Sequence, residues 1–215
     1  MQAQGITAAC SLLWERGAAA LIGISPFNSY FDEHRIRQLL EFCGQAGRAV
    51  FLFVPDEVTR YTLEAKGYET SRALKKMNRQ VQYLRNKIVR AANGSGSAPI
   101  VFDCAELSKR REYVRRHLEL ERRFESDPSC RQGCLDTTRW VLAATPSDQI
   151  NEQAALLGVR YLLAELPMFL HAPEIIGRNE VVFVYHQCPA FVADLYRGRY
   201  GDGASAGQGF VEVTD

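Results

Sequence analysis

The sequence predicts an α/β fold whose core is a doubly wound, mostly parallel β-sheet, which is the Rossmann-like architecture. Four short runs of apolar, β-branched or aromatic residues lie between turn residues, as buried strands do. Segments with helical periodicity separate each run from the next, and this alternation is expected of parallel strands joined by helices. With 215 residues, 47% of them hydrophobic, the chain can cover both faces of such a sheet.

The predicted elements follow one another in a regular order. The four strands span residues 19–24, 49–54, 99–102 and 180–185. The helical segments span residues 32–46, 56–66, 70–92, 105–126, 136–144, 147–170 and 189–196. Pro189 opens the last of these helices, because a proline nitrogen needs no hydrogen-bond partner in the first helical turn. Glycine and small residues are frequent from residue 198 onward, so we expect a single domain over 1–197 and a disordered tail over 198–215.

Composition argues against several classes of protein. The six cysteines contain no C-x-x-C pair and the four histidines show no metal-ligand spacing, so we expect neither a metal site nor a cofactor. The longest apolar runs, such as 18–24, are much shorter than a bilayer requires, and no cationic flank precedes an N-terminal apolar stretch. We therefore expect a cytoplasmic protein that does not act at a membrane.

Positive charge is concentrated in the third predicted helix, although the net charge of the chain is only +1. No acidic residue occurs between Glu69 and Asp103. Six cations in this interval form what we call the cationic stripe: Arg72, Lys75, Lys76, Arg79, Lys87 and Arg90. At about 100° per residue, all of them except Lys75 fall within an arc of roughly 80° on the helix. Cations without acids among them repel one another, so the stripe predicts an anionic partner such as the phosphate backbone of RNA.

A hydroxyl side chain follows the first predicted strand. Ser25 lies where this strand ends, and ligands of parallel sheets bind at the carboxyl ends of the strands. Taken alone, a serine before a proline more often caps a turn than attacks a substrate. It is not the nucleophile elbow of the α/β hydrolases, because Phe27 replaces the second glycine of that motif. Tyr185 and His186 end the last predicted strand and are expected at the same edge of the sheet.

A second candidate group lies on the helix predicted over 147–170. Tyr161 and Glu165 are four residues apart, so they share one face of a helix. Glu165 is the lone acid of an apolar stretch, and burying it costs free energy unless it is paired. It either points to solvent or is a partly desolvated carboxylate that can hold an ammonium group and exchange a proton with it.

These two segments together resemble the cyclodipeptide synthases. Residues 25–31, Ser-Pro-Phe-Asn-Ser-Tyr-Phe, match the serine motif of that family, with Gly23 two residues before the serine. The family's second motif is matched by Tyr161, Glu165 and Pro167. One branch of the family is marked by an asparagine after the serine and a late Tyr-His pair, which Asn28, Tyr185 and His186 match.

The resemblance implies a catalytic domain similar to those of class I tyrosyl and tryptophanyl tRNA synthetases. It implies a ping-pong reaction in which Ser25 takes an aminoacyl group from a first aminoacyl-tRNA. The amine of a second aminoacyl-tRNA then attacks that ester, and a dipeptidyl enzyme cyclises to a 2,5-diketopiperazine, a product of secondary metabolism. The ester is already activated, so we expect no use of ATP, and we expect a monomer.

Roles for individual residues also come from the resemblance. Glu165 and Tyr161 would bind and deprotonate amines, Tyr185 and His186 would relay a proton, and Asn28 would orient the serine region. The first aminoacyl pocket is predicted to involve Gly23, Phe53, Met168 and Phe183. The last three of these are assigned by strand or helix facing, and Tyr113 corresponds to a further active-site tyrosine of the family.

Two other functions fit part of the sequence. A non-catalytic RNA-binding module would use the cationic stripe alone, and leaves Ser25 and Glu165 without a role. A serine hydrolase would act on free esters without tRNA, and requires a histidine placed against Ser25.

Overall fold

The computed structural model describes residues 1–143, 150–201 and 203–215, and its centre is a six-stranded sheet in the order β1-β6-β5-β2-β3-β4. The strands are β1 (Gln2–Gly5), β2 (Ala19–Gly23), β3 (Val50–Val54), β4 (Ile100–Asp103), β5 (Val181–Tyr185) and β6 (Gln208–Thr214). Strand β1 pairs antiparallel with β6, and every other pair is parallel. The predicted fold class, a mostly parallel α/β sheet, is confirmed.

Ten α-helices surround this sheet in the described residues. They are α1 (Ala8–Glu15), α2 (Glu33–Gly44), α3 (Thr59–Ala65), α4 (Thr70–Ser95), α5 (Cys104–Leu107), α6 (Arg111–Ser126), α7 (Pro128–Leu142), α8 (Glu152–Leu170), α9 (Ala172–Ile176) and α10 (Ala190–Tyr196). Neither α1 nor α9 was predicted from the sequence. The predicted helices 136–144 and 147–170 extend into residues 144–149, which lie outside the described residues.

Local capping explains where two predicted helix boundaries differ from the structure. The segment predicted as one helix over 105–126 is two helices, because the Asp103 side chain accepts from the Glu106 N–H and caps a separate short helix. Helix α7 begins eight residues before its predicted start. The Asp127 side chain caps it by accepting from the Ser129 and Cys130 N–H groups, and Pro128 occupies its first position.

The prediction of a disordered tail over 198–215 is wrong for its second half. Strand β6 lies between β5 and β1, with Phe210, Val211 and Val213 buried in the core. The glycine-rich composition before residue 208 hid a short apolar strand whose stability comes from hydrogen bonds to two neighbouring strands.

The two faces of the sheet carry different cores. Leu21, Phe53 and Phe183 project to the face covered by α6, α7 and α8, where aromatic residues are frequent. The alternate residues, such as Ile22 and Leu52, pack with α2 and α4 in a mainly aliphatic core. This alternation follows from the two-residue period of a strand. Because β2 and β5 are parallel neighbours, their carboxyl ends are adjacent, between α4 on one face and α8 on the other.

Helix α8 is long and apolar enough to cross a membrane by length and composition alone. However, 61% of its apolar window is buried inside the fold, where α8 packs against α3, α6 and α7. Its apolar composition is therefore that of a core helix that reaches from the sheet edge to the neighbouring helices.

Candidate active site

Ser25 lies in a tight turn at the end of β2. The Asn28 N–H donates to the Ser25 carbonyl over 3.2 Å, which closes residues 25–28 into what we call the serine turn. Pro26 occupies the second position of this turn, where its fixed φ is favourable. Ser25 Oγ lies 2.9 Å from the Tyr185 hydroxyl oxygen, and the Tyr161 hydroxyl donates to Ser25 Oγ over 3.3 Å. Three hydroxyls from β2, β5 and α8 therefore meet at one point.

Asn28 extends this group of contacts to His186. Its side-chain Oδ1 accepts from the Tyr30 N–H over 2.9 Å, so its Nδ2 must face the other way. That nitrogen lies 2.8 Å from His186 Nε2 and 3.4 Å from the Tyr185 hydroxyl oxygen. Because Nδ2 can only donate, His186 Nε2 accepts, and the imidazole is neutral with its proton on Nδ1. Burial lowers the pKa of His186, in agreement with this state, while Glu212 acts in the opposite direction.

Glu165 has the most perturbed carboxyl group of the site. Burial raises its pKa to about 8, and the Tyr161 hydroxyl acts in the opposite direction. Burial likewise raises the pKa of Tyr185 to about 12, with a further contribution from Glu165, and raises that of Tyr161. The tyrosines therefore remain neutral near pH 7, whereas Glu165 changes charge readily when a cation enters.

A cavity of about 440 Å³ opens beside these groups. Helix α8 supplies one wall through Gly158, Tyr161, Leu162, Glu165 and Phe169, a length of about 16 Å at a rise of roughly 1.5 Å per residue. One end is aromatic, with Phe169, Phe183 and Phe210. The other end is more polar, with Thr62, Lys66, Thr137 and Thr138. The cavity thus extends from Ser25 and Glu165 in two chemically different directions.

Gly23 has a steric role in the aromatic end. A Cβ at this position would lie 2.5 Å from Cζ of Phe183 and 3.2 Å from Cδ2 of Tyr185. Only glycine therefore allows the Phe183 ring to cross the end of β2 beside the serine turn.

Two residues predicted for the first aminoacyl pocket, Phe53 and Met168, and the predicted active-site tyrosine Tyr113 do not line this cavity. Phe53 and Met168 are fully buried in the core, and the Tyr113 hydroxyl donates to the Ala164 carbonyl over 3.0 Å. Met168 is one residue from Phe169, which does line the cavity, and one residue turns a helix by about 100°. Gly23 and Phe183 line the cavity as predicted.

Several lining residues were not identified from the sequence. Phe169 lies four residues after Glu165, so helical spacing from that carboxylate is a signal that leads to it. Thr62, Thr137, Thr138 and Trp140 carry no comparable signal, because they reach the cavity only through the packing of α3 and α7 on α8.

The cationic stripe divides into two parts in the structure. Arg90 forms a salt bridge of 2.6 Å with Glu33 of α2, and Lys87 Nζ donates to the Phe31 carbonyl over 3.4 Å. The remaining four cations lie in the first half of α4, and none of them forms an ion pair with a described residue: Arg72, Lys75, Lys76 and Arg79. The acid that pairs with Arg90 is distant in sequence, so only the tertiary structure reveals it.

The fold and the arrangement of the site define a class of protein, an α/β domain of the kind found in class I tRNA synthetases. A Mycobacterium tuberculosis structure matches with a TM-score of 0.88 and 28% identity over 99% of this chain and 92% of that one. It is described as demonstrating that cyclodipeptide synthetases are related to type I tRNA synthetases. The cyclodipeptide synthase structure from Bacillus thermoamylovorans matches with a TM-score of 0.92 and 23% identity over 98% of this chain and 94% of that one.

Sequence comparison identifies the family. The family model described as cyclodipeptide synthase matches residues 1–215. The cyclo(L-leucyl-L-phenylalanyl) synthase of Streptomyces noursei is 31% identical over 207 residues, which covers 94% of this chain and 87% of the relative. This chain belongs to the cyclodipeptide synthase family.

Proposed function

We propose that this protein joins the aminoacyl groups of two aminoacyl-tRNAs into a cyclic dipeptide through an ester on Ser25. The observation that carries the proposal is the contact of Ser25 Oγ with the hydroxyls of Tyr185 and Tyr161, beside a carboxyl group of raised pKa. Membership in the cyclodipeptide synthase family supports the product class, and the similarity to tRNA synthetases supports tRNA as the carrier.

The first step forms one bond and breaks another. Ser25 Oγ attacks the carbonyl carbon of the aminoacyl ester, the bond from that carbon to the ribose oxygen breaks, and the serine proton ends on the ribose oxygen of the departing tRNA. Tyr185 is hydrogen-bonded to Ser25 and remains neutral, so its hydroxyl can accept the serine proton while giving up its own. Asn28 holds the Tyr185 hydroxyl in place.

The second step requires a free amine on the enzyme-bound group. Attack by the amine of the second aminoacyl-tRNA on the Ser25 ester, the order expected from the sequence, would release Ser25 and leave the dipeptide on tRNA. A dipeptidyl enzyme forms instead when the amine of the Ser25-bound group attacks the second aminoacyl-tRNA ester and releases that tRNA. The terminal amine then attacks the Ser25 ester, which closes the ring and returns a proton to Ser25.

Glu165 is suited to manage these amines. An ammonium group is bound best by an ionised carboxylate, and a carboxyl group with a pKa of about 8 accepts the proton that the amine must lose before it attacks. Tyr161 lies one helical turn from Glu165 and contacts Ser25, so it can fix the position of the amine between the ester and the carboxylate. None of these steps consumes ATP, a metal or a cofactor.

The contacts of His186 argue against a serine hydrolase. Such an enzyme needs a histidine base on its serine. In the described residues, Ser25 Oγ contacts two tyrosine hydroxyls, and His186 Nε2 contacts Asn28. A module that only binds RNA would have no use for a buried carboxyl group beside this serine.

Incubation with charged tRNAs, followed by mass spectrometry of the products, tests the proposed function. We expect cyclic dipeptides from the wild-type protein and none from Ser25→Ala, which retains its fold and its affinity for tRNA. Turnover by the alanine variant within tenfold of wild type would exclude Ser25 as the nucleophile. Hydrolysis of free aminoacyl esters by the wild type, without cyclic dipeptide, would favour the hydrolase.

A further inference from the structure

Phe27 is a large apolar side chain left exposed at the mouth of the cavity. It occupies the third position of the serine turn, and 40% of its surface is accessible. Its ring forms no contact with another aromatic ring among the described residues, whereas Tyr30 and Phe31 of the same segment pack against Tyr185 or His186. The core does not need Phe27, and a free π-face beside the nucleophile candidate is suited to a ligand.

A cation is held next to this ring. Lys76 Nζ lies 6.0 Å from the centre of the Phe27 ring and donates to the Tyr68 hydroxyl over 2.7 Å. It also lies 4.3 Å from the centre of the Tyr68 ring. Lys76 forms no ion pair within the described residues, so its charge is positioned by Tyr68 but is not neutralised.

The serine turn and helix α4 are joined at this point. Gln80 Nε2 donates to the Pro26 carbonyl over 2.7 Å, which fixes the turn against the helix one turn after Lys76. Phe27 therefore lies between Ser25 and the unpaired cations in the first half of the cationic stripe. A chain of phosphates that follows the stripe toward Ser25 passes Phe27 last.

We infer that Phe27 is the stacking platform for the 3′-terminal adenine of the aminoacyl-tRNA, with Lys76 binding the adjoining phosphate. This inference rests on the proposed function, because the ester that Ser25 attacks is carried on the ribose of that adenosine. The base must then lie within about one ribose of Ser25 Oγ, and Phe27 is two residues away in the same turn. Exposed aromatic rings beside cations are how proteins bind single-stranded RNA ends.

The polarity of the surroundings favours this ligand over a peptide or a lipid. Arg72, Lys75 and Arg79 continue the positive charge away from Phe27, which matches a polyanion that extends from its stacked terminal base. Trp140 is also exposed, at 53%, and lines the cavity, but among the described residues no cation is held against its ring. Of the two exposed rings that line the cavity, Phe27 and Trp140, only Phe27 has a cation beside it among the described residues.

A double-mutant cycle between protein and RNA tests the inference. Binding of uncharged tRNA is measured with and without its terminal adenosine, for wild type, Phe27→Ala, Phe27→Leu and Phe27→Tyr. We expect Phe27→Ala to weaken binding of the complete tRNA about tenfold, which corresponds to roughly 1.4 kcal/mol and lies within the range for stacking on one aromatic ring. Binding of the shortened tRNA should not change. Phe27→Leu keeps apolar volume but loses the π-face and should behave like alanine, whereas Phe27→Tyr should behave like wild type.

Controls separate this site from general effects. Leu12→Ala removes a similarly exposed apolar residue from α1, which contributes nothing to the cavity, and should leave both affinities unchanged. Equal weakening of complete and shortened tRNA by Phe27→Ala would overturn the inference. The inference would also be overturned if Trp140→Ala lost tenfold in affinity for the complete tRNA only, while Phe27→Ala had no effect.

The outcome for Phe27 is distinguishable from the outcome for the proposed function. If the wild type forms cyclic dipeptides and Phe27→Ala binds both RNAs as wild type does, the stacking inference fails and the proposed function stands. If the wild type forms no cyclic dipeptide from charged tRNAs, the proposed function fails. The same binding cycle then still reports whether Phe27 contacts the terminal nucleotide.

Discussion

Glu165 shows how the surroundings of one residue set its chemistry. In the sequence it is an acid within an apolar helix, and nothing local decides whether it faces water or the core. In the structure it lines the cavity next to Tyr161, and burial raises its pKa to about 8. A carboxyl group in this state is poised to take up a proton and to release it near neutral pH.

At the residue scale, Glu165→Gln is expected to trap the first intermediate. Glutamine keeps the shape and hydrogen bonding of the side chain but cannot ionise, so the Ser25-bound amine stays protonated and does not attack. Cyclic dipeptide formation should fall at least a hundredfold, while intact-protein mass spectrometry shows an aminoacyl increment on Ser25. Glu152→Gln, an exposed change at the start of the same helix, is the matched control. Wild-type turnover by Glu165→Gln would mean that the carboxylate takes no part in the reaction.

The raised pKa of Glu165 also predicts a pH dependence of stability. The folded protein holds this proton up to about pH 8, whereas the unfolded chain releases it near the ordinary value of 4.5. The folded state therefore binds more protons between these values, and the free energy of unfolding decreases as the pH rises through this window. Glu165→Gln removes this contribution, so the variant should gain stability relative to wild type from pH 5 to pH 8. Urea unfolding at the two pH values measures the difference, and a constant difference would show that Glu165 is not desolvated.

At the element scale, helix α4 joins two tasks. Its buried side packs against α3 through Met77, and against α2 and the sheet through Leu84 and Ile88, and its exposed side carries the cationic stripe. In the second half of the stripe, Arg90 pairs with Glu33 and Lys87 donates to the Phe31 carbonyl, whereas the four cations of the first half form no ion pair with a described residue. These four cations lie in the half of α4 that is joined to the serine turn through Gln80, where the proposed function requires the end of a tRNA.

Replacement of Arg72, Lys75 and Arg79 with alanine should weaken tRNA binding and flatten its salt dependence. Each lost phosphate contact removes about one unit from the slope of log K against log salt. The variant should have a higher KM and a nearly unchanged kcat, because these side chains are outside the cavity. The control is a triple variant of equal charge change on exposed residues elsewhere, Lys109, Arg111 and Arg122. An unaltered slope in the α4 variant, or an equal loss in the control, would mean that tRNA binds on another surface.

At the scale of the whole molecule, strand β6 connects the end of the chain to the centre of the fold. It separates β5, which carries Tyr185, from the antiparallel edge strand β1. Its Glu212 side chain also accepts from the Cys188 N–H, just after the Tyr185 and His186 pair. The edge of the sheet that carries the candidate site is therefore supported by residues of a segment whose composition is typical of a disordered tail.

Deletion of residues 208–215 is expected to abolish folding, not to remove a dispensable end. The deletion exposes the edge of β5, leaves β1 without a partner and removes three fully buried apolar side chains. Circular dichroism and thermal unfolding of the truncated chain measure the effect, and deletion of Asp215 alone is the control. A truncated protein that melts within a few degrees of wild type would show that β6 contributes little.

The sequence by itself determined four of the six strands and the chemical identity of the candidate site. The alternation of apolar runs with helical periodicity is local, so β2, β3, β4 and β5 were predicted to within a residue or two. The motifs around Ser25, Glu165 and Tyr185 identified the side chains that meet in the structure. A motif is defined by residue types and their spacing, so it can be recognised without knowledge of the packing.

Only the tertiary structure decided the features that depend on the facing of elements and on partners distant in sequence. Phe169 lines the cavity and Met168 does not, because the rotation of α8 against the sheet is fixed by the whole core and not by the helix itself. Strand β6 is stable because two neighbouring strands complete its hydrogen bonds, and the pKa of Glu165 is raised because packing around it removes water. Burial and strand pairing are sums over residues from many parts of the chain, so no local stretch of sequence contains them.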